Sequence, residues 1–135
     1  MDIIIRYVFK HRATGNIEIK KYSIRQLEER FSKELSPCFD SEEYELVERN
    51  LYTGREDVKD NRIYEGDVTR DVIKNQIGII CYDRHQANFK VVPISMYLAN
   101  AGNGGWTGYH LRNTMPLEVV GNIYQNPYLS EGETE

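Results

Sequence analysis

The chain of 135 residues has only two cysteines, four prolines and one tryptophan. Cys38 and Cys81 stand alone, without a C-x-x-C pair, so neither a disulfide framework nor a cysteine-based zinc site is indicated. Both are expected to be reduced, buried thiols. No apolar run approaches the roughly 20 residues of a membrane span. Ile3-Ile-Ile5 is too short for a secretory leader and runs straight into Arg6. The expectation is therefore a cytoplasmic protein without membrane contact. A strong positive charge is missing as well. Seventeen basic against 21 acidic residues leave a net charge of −4, which disfavours a general nucleic-acid binder, since phosphate contacts dominate such affinity.

Chemistry-bearing patterns are equally sparse. His11, His85 and His110 are far apart and lack metal-ligand spacing. Asp83-Arg84-His85 puts acid and base side by side on a turn, which makes no relay, and no G-x-S-x-G elbow supplies a nucleophile. Glu65 and Asp67 share a strand face at i and i+2 but lack the cleft that acid–base work requires. Asn100-Ala-Gly-Asn-Gly-Gly105 has the glycines of a phosphate loop without its Lys-Ser/Thr, so it reads as a long mobile loop. No cofactor or metal is expected.

What the chain does have is tyrosine, ten of them, a residue suited to strands and wet interfaces. Its charge is also uneven. Arg6, Lys10, Arg12, Lys20, Lys21 and Arg25 dominate the first 25 residues, acids dominate from Glu28 to Glu48, and Glu131, Glu133 and Glu135 close the chain.

The pattern predicts a strand over Ile3–Lys10, a turn at Ala13–Asn16 and a return strand over Ile17–Tyr22. Ser23 with Gln26 forms a capping box, with Tyr22 and Leu27 in staple positions. Ile24, Leu27, Phe31 and Leu35 make one apolar stripe, so a core-facing helix is expected up to Ser36-Pro37. Tyr44–Leu51 alternates as a strand, and Thr53-Gly54 and Lys59–Arg62 read as loop and turn. Strands follow at Val68–Ile73, Gln76–Tyr82, Asn88–Val92, Trp106–Leu111 and Leu117–Ile123. Ser95–Ala101 is ambiguous between strand and helical turn. Tyr124–Leu129 is a turn-rich ending. Short strands at this density suggest a mainly β, β-rich α+β chain. The expected form is a small SH3-like antiparallel β-barrel with an N-terminal β-hairpin and one helix. The expected organisation is a hairpin–helix–strand piece over 1–50 packed on a barrel over 51–129, followed by an acidic tail over 130–135.

Three stretches carry a family likeness: Leu51-Tyr-Thr-Gly-Arg55, Arg62-Ile-Tyr-Glu-Gly-Asp67 and Val119-Val-Gly-Asn-Ile-Tyr-Gln-Asn-Pro127. Together they resemble the YopX family, small proteins carried mostly by phages and prophages of Gram-positive bacteria. Gly78-Ile-Ile-Cys-Tyr82 and Phe89-Lys-Val91 are similar to that family's barrel strands. The resemblance implies a largely β fold with a small barrel and hands over no catalytic residue.

On the residues alone, the motif reads first as scaffold. Gly54 and Gly66 supply backbone angles other residues resist, Asp67 bonds turn amides, and Tyr52 and Tyr64 pack with wet hydroxyls. Trp106 fits either a core anchor or an exposed contact. The rival reading makes Tyr52, Tyr64, Asp67, Asn103, Trp106 and Tyr109 an interaction surface. The preferred function is a non-enzymatic phage or prophage accessory protein in the host bacterial cytoplasm, binding an unidentified protein partner or itself as an oligomer. The alternative is a nucleic-acid-binding module using the basic N-terminal face, with Tyr7 and Phe9 for stacking. An enzyme is the least favoured class.

Overall fold

The computed structural model describes residues 3–100, 105–127 and 129. The acidic tail, and Asn103 with most of the Asn100–Gly105 loop, lie outside them. The chain divides into two compact units, Met1–Tyr52 and Thr53–Glu135. It is mainly β, as the strand pattern predicts, with two antiparallel sheets.

In unit 1, β1 (Ile4–His11) and β2 (Ile17–Ser23) form the hairpin, Ile4 opposite Ser23 and Lys10 opposite Ile17. Gly15 takes φ +78 in the turn, a region closed to most side chains. The other edge of β1 pairs with β3 (Tyr44–Glu56) over Tyr44–Leu51, with a bulge between Val8 and Phe9. Both faces of β1 carry buried residues, although Ile5 and Tyr7 are only half-buried. Tyr7 and Phe9 enter a ring cluster with Tyr22, Phe39 and Tyr44, centroids 5.1–6.4 Å apart. On the other face Ile4, Arg6 and Val8 are buried, and Arg6 Nε donates to Asn50 Oδ1 at 3.1 Å.

The capping box at Ser23 forms as expected, each partner accepting the other's backbone N–H. The single core-facing helix does not. α1 (Ile24–Glu29) stops after six residues, Arg30 and Phe31 are extended, and α2 (Ser32–Leu35) follows as one turn. No residue of α1 is buried, and Phe31, placed on the apolar stripe by its spacing, is 81% exposed. Without a buried face, so short a helix has little to extend it, because isolated helices below about 12 residues are marginal in water. A turn of 3-10 helix at Pro37–Phe39 then buries Cys38.

β3 also departs from expectation, running through Thr53-Gly54 instead of ending before it. Gly54 sits at φ +85, so the strand bends there without breaking, as glycine inside a strand commonly allows. The end of β3 and β4 (Arg62–Tyr64) belong to unit 2, where Thr53 Oγ1 donates to the Ile63 carbonyl at 2.7 Å.

The main sheet of unit 2 comprises β5 (Asp67–Asp71), β6 (Gln76–Asp83), β7 (Asn88–Pro93), β8 (Tyr109–His110) and β9 (Leu117–Asn122), in the order β8-β7-β6-β5-β9. α3 (Ile94–Asn100) resolves the ambiguous stretch as helix. The expected barrel does not close among the described residues, because β8 and β9 remain the two ends of this sheet. Two features account for this. β8 pairs with β7 over only two residues, too short to carry the sheet round. And the sheet is covered on both faces. Ile63, Ile80, Val91, Leu111 and Leu117 form one core; Val68, Ile79, Cys81 and Val92, with Trp106 and Tyr97 against them, form the other. The unbroken runs Ile79-Ile80-Cys81 and Val91-Val92 are what a strand buried on both faces requires. A sheet so covered has no need of closure to bury its apolar residues.

Candidate functional site

The motif residues turn inward. Tyr64 is 1% and Asp67 2% exposed, so neither reaches an interaction surface, and the Tyr64 hydroxyl is not wet as the sequence suggested. Gly66 has φ +91 and makes the turn between β4 and β5 possible. Its N–H donates to the Ile80 carbonyl, its carbonyl accepts from Ile123 N, and Asp67 Oδ2 accepts from Tyr64 N at 2.8 Å. The Tyr-Glu-Gly-Asp segment is thus a tight turn tied to β6 on one side and to the residue after β9 on the other.

The Gly121-Asn122 and Asn126-Pro127 pair is a second such device. Asn122 Oδ1 accepts from Tyr124 and Gln125 amides at 3.0 and 2.8 Å, while Asn126 Oδ1 accepts from Asn122 N at 3.2 Å. A side chain on Gly121 would start 2.5 Å from Asn126 Oδ1, so the glycine is needed for the two asparagines to close the turn.

Three polar clusters that no motif announced do similar work. Asp57 Oδ1 accepts from Lys59 and Asn61 amides at 2.9 and 2.8 Å, and its Oδ2 from Val119 N at 2.9 Å. Val58 N donates to the Leu117 carbonyl, so the Asp57 loop covers part of the β9 edge that a bare sheet would leave open. Burial works to raise the Asp57 pKa, but these amides outweigh it and hold the carboxyl below its ordinary value. On β9 itself, Glu118 bonds Lys59 at 2.6 Å and Arg70 at 2.8 Å, and those two cations keep it ionised.

The third cluster is a buried ion pair. Lys90 Nζ lies 2.7 Å from Asp83 Oδ2, with side chains 5% and 3% exposed. Lys90 also donates to the Trp106 carbonyl at 2.7 Å, and Asp83 accepts from Trp106, His85 and Gln86 amides. Lys90 foremost, with the Trp106 amide, pushes the Asp83 carboxyl far below the usual carboxylate range. The pair pins the returning end of the Gly-rich loop to the β6–β7 hairpin. Trp106, half-buried and stacked on Tyr97 at 5.2 Å and 6°, is accordingly a core anchor. The triplet Asp83-Arg84-His85 is explained by this turn chemistry. A periodic reading misses it because Asp83 and Lys90 meet only across a hairpin, though a turn Asp and a strand Lys seven residues on are a findable signal.

Of the remaining candidate residues, Tyr52 is half-buried in unit 1 and Tyr109 is 52% exposed in unit 2. Tyr109 borders a cleft of about 300 Å³, whose lining includes the apolar Ile77, Val91 and Met115 and the cations Lys74 and Arg112. Of the candidates described in unit 2, Tyr64 and Asp67 are buried, Trp106 is half-buried and Tyr109 is exposed. The basic N-terminal face is divided likewise: Lys10, Arg12, Lys21 and Arg25 are exposed, but Arg6 is buried and Tyr7 and Phe9 are spent in the ring cluster.

Cys81 lies in the core, where burial and, secondarily, Glu65 push its thiol up to about 12. Among the described residues no three His, Cys, Asp or Glu side chains are placed to hold a metal ion, and no helix is long and apolar enough to cross a membrane.

No curated protein matches the chain. The family model described as YopX protein matches residues 8–131, nearly its whole length. The three stretches that carried the likeness, Leu51–Arg55, Arg62–Asp67 and Val119–Pro127, all fall inside that match, and the last two build the turns described above. On that match, the chain belongs to the YopX family.

Proposed function

We propose that this protein is a non-enzymatic phage or prophage accessory factor that acts in the host cytoplasm by binding a protein partner or a second copy of itself. The observation that carries the reading is β3. From Glu45 to Arg49 every residue of this strand is exposed, and the run includes Leu46 at 38% and Val47 at 41%, with Leu51 at 46% just beyond. Exposed apolar side chains held on a strand among Glu45, Glu48 and Arg49 suit a protein-contact surface. The non-enzymatic reading is supported by Asp57, Asp67 and Asp83 accepting backbone amides and by burial raising the Cys81 thiol.

Light scattering across a concentration series, on wild type and on Leu46→Lys with Val47→Glu, tests the reading. Self-association that the pair of substitutions abolishes supports it, as does a partner captured from infected cells that the substituted protein no longer holds. Wild-type behaviour of the variant in both assays removes β3 as the surface. The nucleic-acid alternative rests on the exposed Lys10, Arg12, Lys21 and Arg25. It calls for binding to short DNA or RNA that weakens steeply with salt, and absence of binding at low salt ends it.

A further inference from the structure

We propose that the cleft beside Tyr109 in unit 2 is a binding site for a small organic anion, a flat apolar or aromatic body carrying one carboxylate or phosphate. The site is separate from the β3 surface and does not depend on it.

The cleft lies between the β5–β6 turn and the stretch leading from β8 into β9. Its volume, about 300 Å³, is at the lower end of small-ligand sites, which join an apolar lining to a few placed polar groups. Ile77, Val91 and Met115 supply the apolar lining. Tyr109, 52% exposed, offers a ring face for an aromatic body.

The charge decides what else the ligand must be. The lining holds two cations, Lys74 and Arg112, and one acid, Asp71. Asp71 Oδ1 accepts from Ile73 and Lys74 amides at 2.9 and 2.8 Å, so it shapes the turn while its negative charge stays and offsets one of the two cations. Elsewhere in unit 2, Lys59, Arg70 and Lys90 are each matched to a carboxylate. Among the described residues Lys74 and Arg112 make no salt bridge; Lys74 is near enough to Asp71 to help hold that carboxyl below its ordinary value, and its Nζ stands 6.0 Å from the Tyr109 ring centroid. In a chain of net charge −4, two cations against one acid leave this apolar cleft with a net positive charge, and that is the feature that needs a counterpart. A guanidinium presents a fork matched to carboxylate or phosphate, and an ammonium adds a point charge. An extended nucleic acid would need a longer cationic track than two residues, and a cationic ligand would meet repulsion.

The full chain is titrated with 1-anilinonaphthalene-8-sulfonate, a fluorescent aromatic anion, then challenged with indole-3-acetate, adenosine monophosphate and neutral indole. Saturable one-site binding is expected, displaced by indole-3-acetate or by adenosine monophosphate at concentrations where indole has no effect. Which of the two displaces it tells carboxylate from phosphate. Arg112→Gln and Lys74→Gln should each weaken binding about tenfold, the scale of one charge-assisted hydrogen bond. Tyr109→Ala should weaken it too. All three side chains are exposed, so melting temperatures should stay unchanged, which separates lost binding from lost folding. Three results would each overturn the proposal: binding that does not saturate, displacement by indole as readily as by the anions, or wild-type affinity in both the Arg112 and Lys74 variants.

Discussion

Replacing Asp83 by Asn leaves the Lys90 ammonium buried, with side-chain exposure of 5%, facing neutral acceptors such as the Trp106 carbonyl and no counter-charge. Removing one partner of a buried ion pair typically costs about 3–5 kcal/mol, because the other charge is left uncompensated. Lys90→Met should cost less, about 2–3 kcal/mol, since Asp83 keeps three backbone amide donors, from His85, Gln86 and Trp106. The double variant, Asp83→Asn with Lys90→Met, no longer buries a charge. It should fall well short of the sum of the singles, with a coupling energy of about 2 kcal/mol or more. Urea unfolding followed by Trp106, the single tryptophan, reads all four proteins at the cluster itself. Because Lys90 and the amides hold the folded-state pKa of Asp83 below its ordinary value, the pair's contribution is present above about pH 4 and is lost as pH falls through and below that value. Single variants within about 1 kcal/mol of wild type, or additive losses in the double variant, would refute the reasoning and make the pair an incidental contact.

Cys81 should resist alkylation by iodoacetamide at pH 8 in the folded protein and react only as fast as the chain opens, because its thiol is pushed up to about 12; labelling without unfolding would contradict its burial. By the same linkage, stability should decline as pH rises above about 8.5, where the unfolded thiol ionises and the folded one does not. Gly66→Ala forces an alanine to φ +91 and should cost about 1–2 kcal/mol, measured as a shift of the urea midpoint at unchanged slope. Asp57→Ala strips acceptors from the Lys59, Asn61 and Val119 amides and should cost about 2–4 kcal/mol, with hydrogen exchange accelerated first at Val119; exchange there as slow as in wild type would show that the loop does not depend on the carboxylate.

Local chemistry settled much of this structure from the sequence. The hairpin at Gly15, the capping box at Ser23 and Gln26, the strands of the β6–β7 hairpin and the positive φ at Gly54 and Gly66 depend on residues a few positions apart, and each was legible from residue types. The family likeness, too, is read from short stretches, two of which build tight turns, and the family match extends over residues 8–131.

What needed the tertiary structure is every feature that depends on a face finding, or failing to find, a partner. Helical spacing put Phe31 on an apolar stripe, yet spacing says only that residues share a face, and here α1 has no buried residue and the helix breaks. Strand alternation cannot say whether a sheet closes. The paired burial of Ile79 with Ile80 and Val91 with Val92, on opposite faces, together with a two-residue β8, left the sheet open. Tyr64 and Tyr109 are the same residue type in similar strand contexts, and only the fold buries one and sets the other beside a cleft with Lys74 and Arg112. Burial and the matching of charges are decided by residues distant in sequence, which is why the sequence could name this protein's family while its candidate binding surfaces emerged only once the chain was folded.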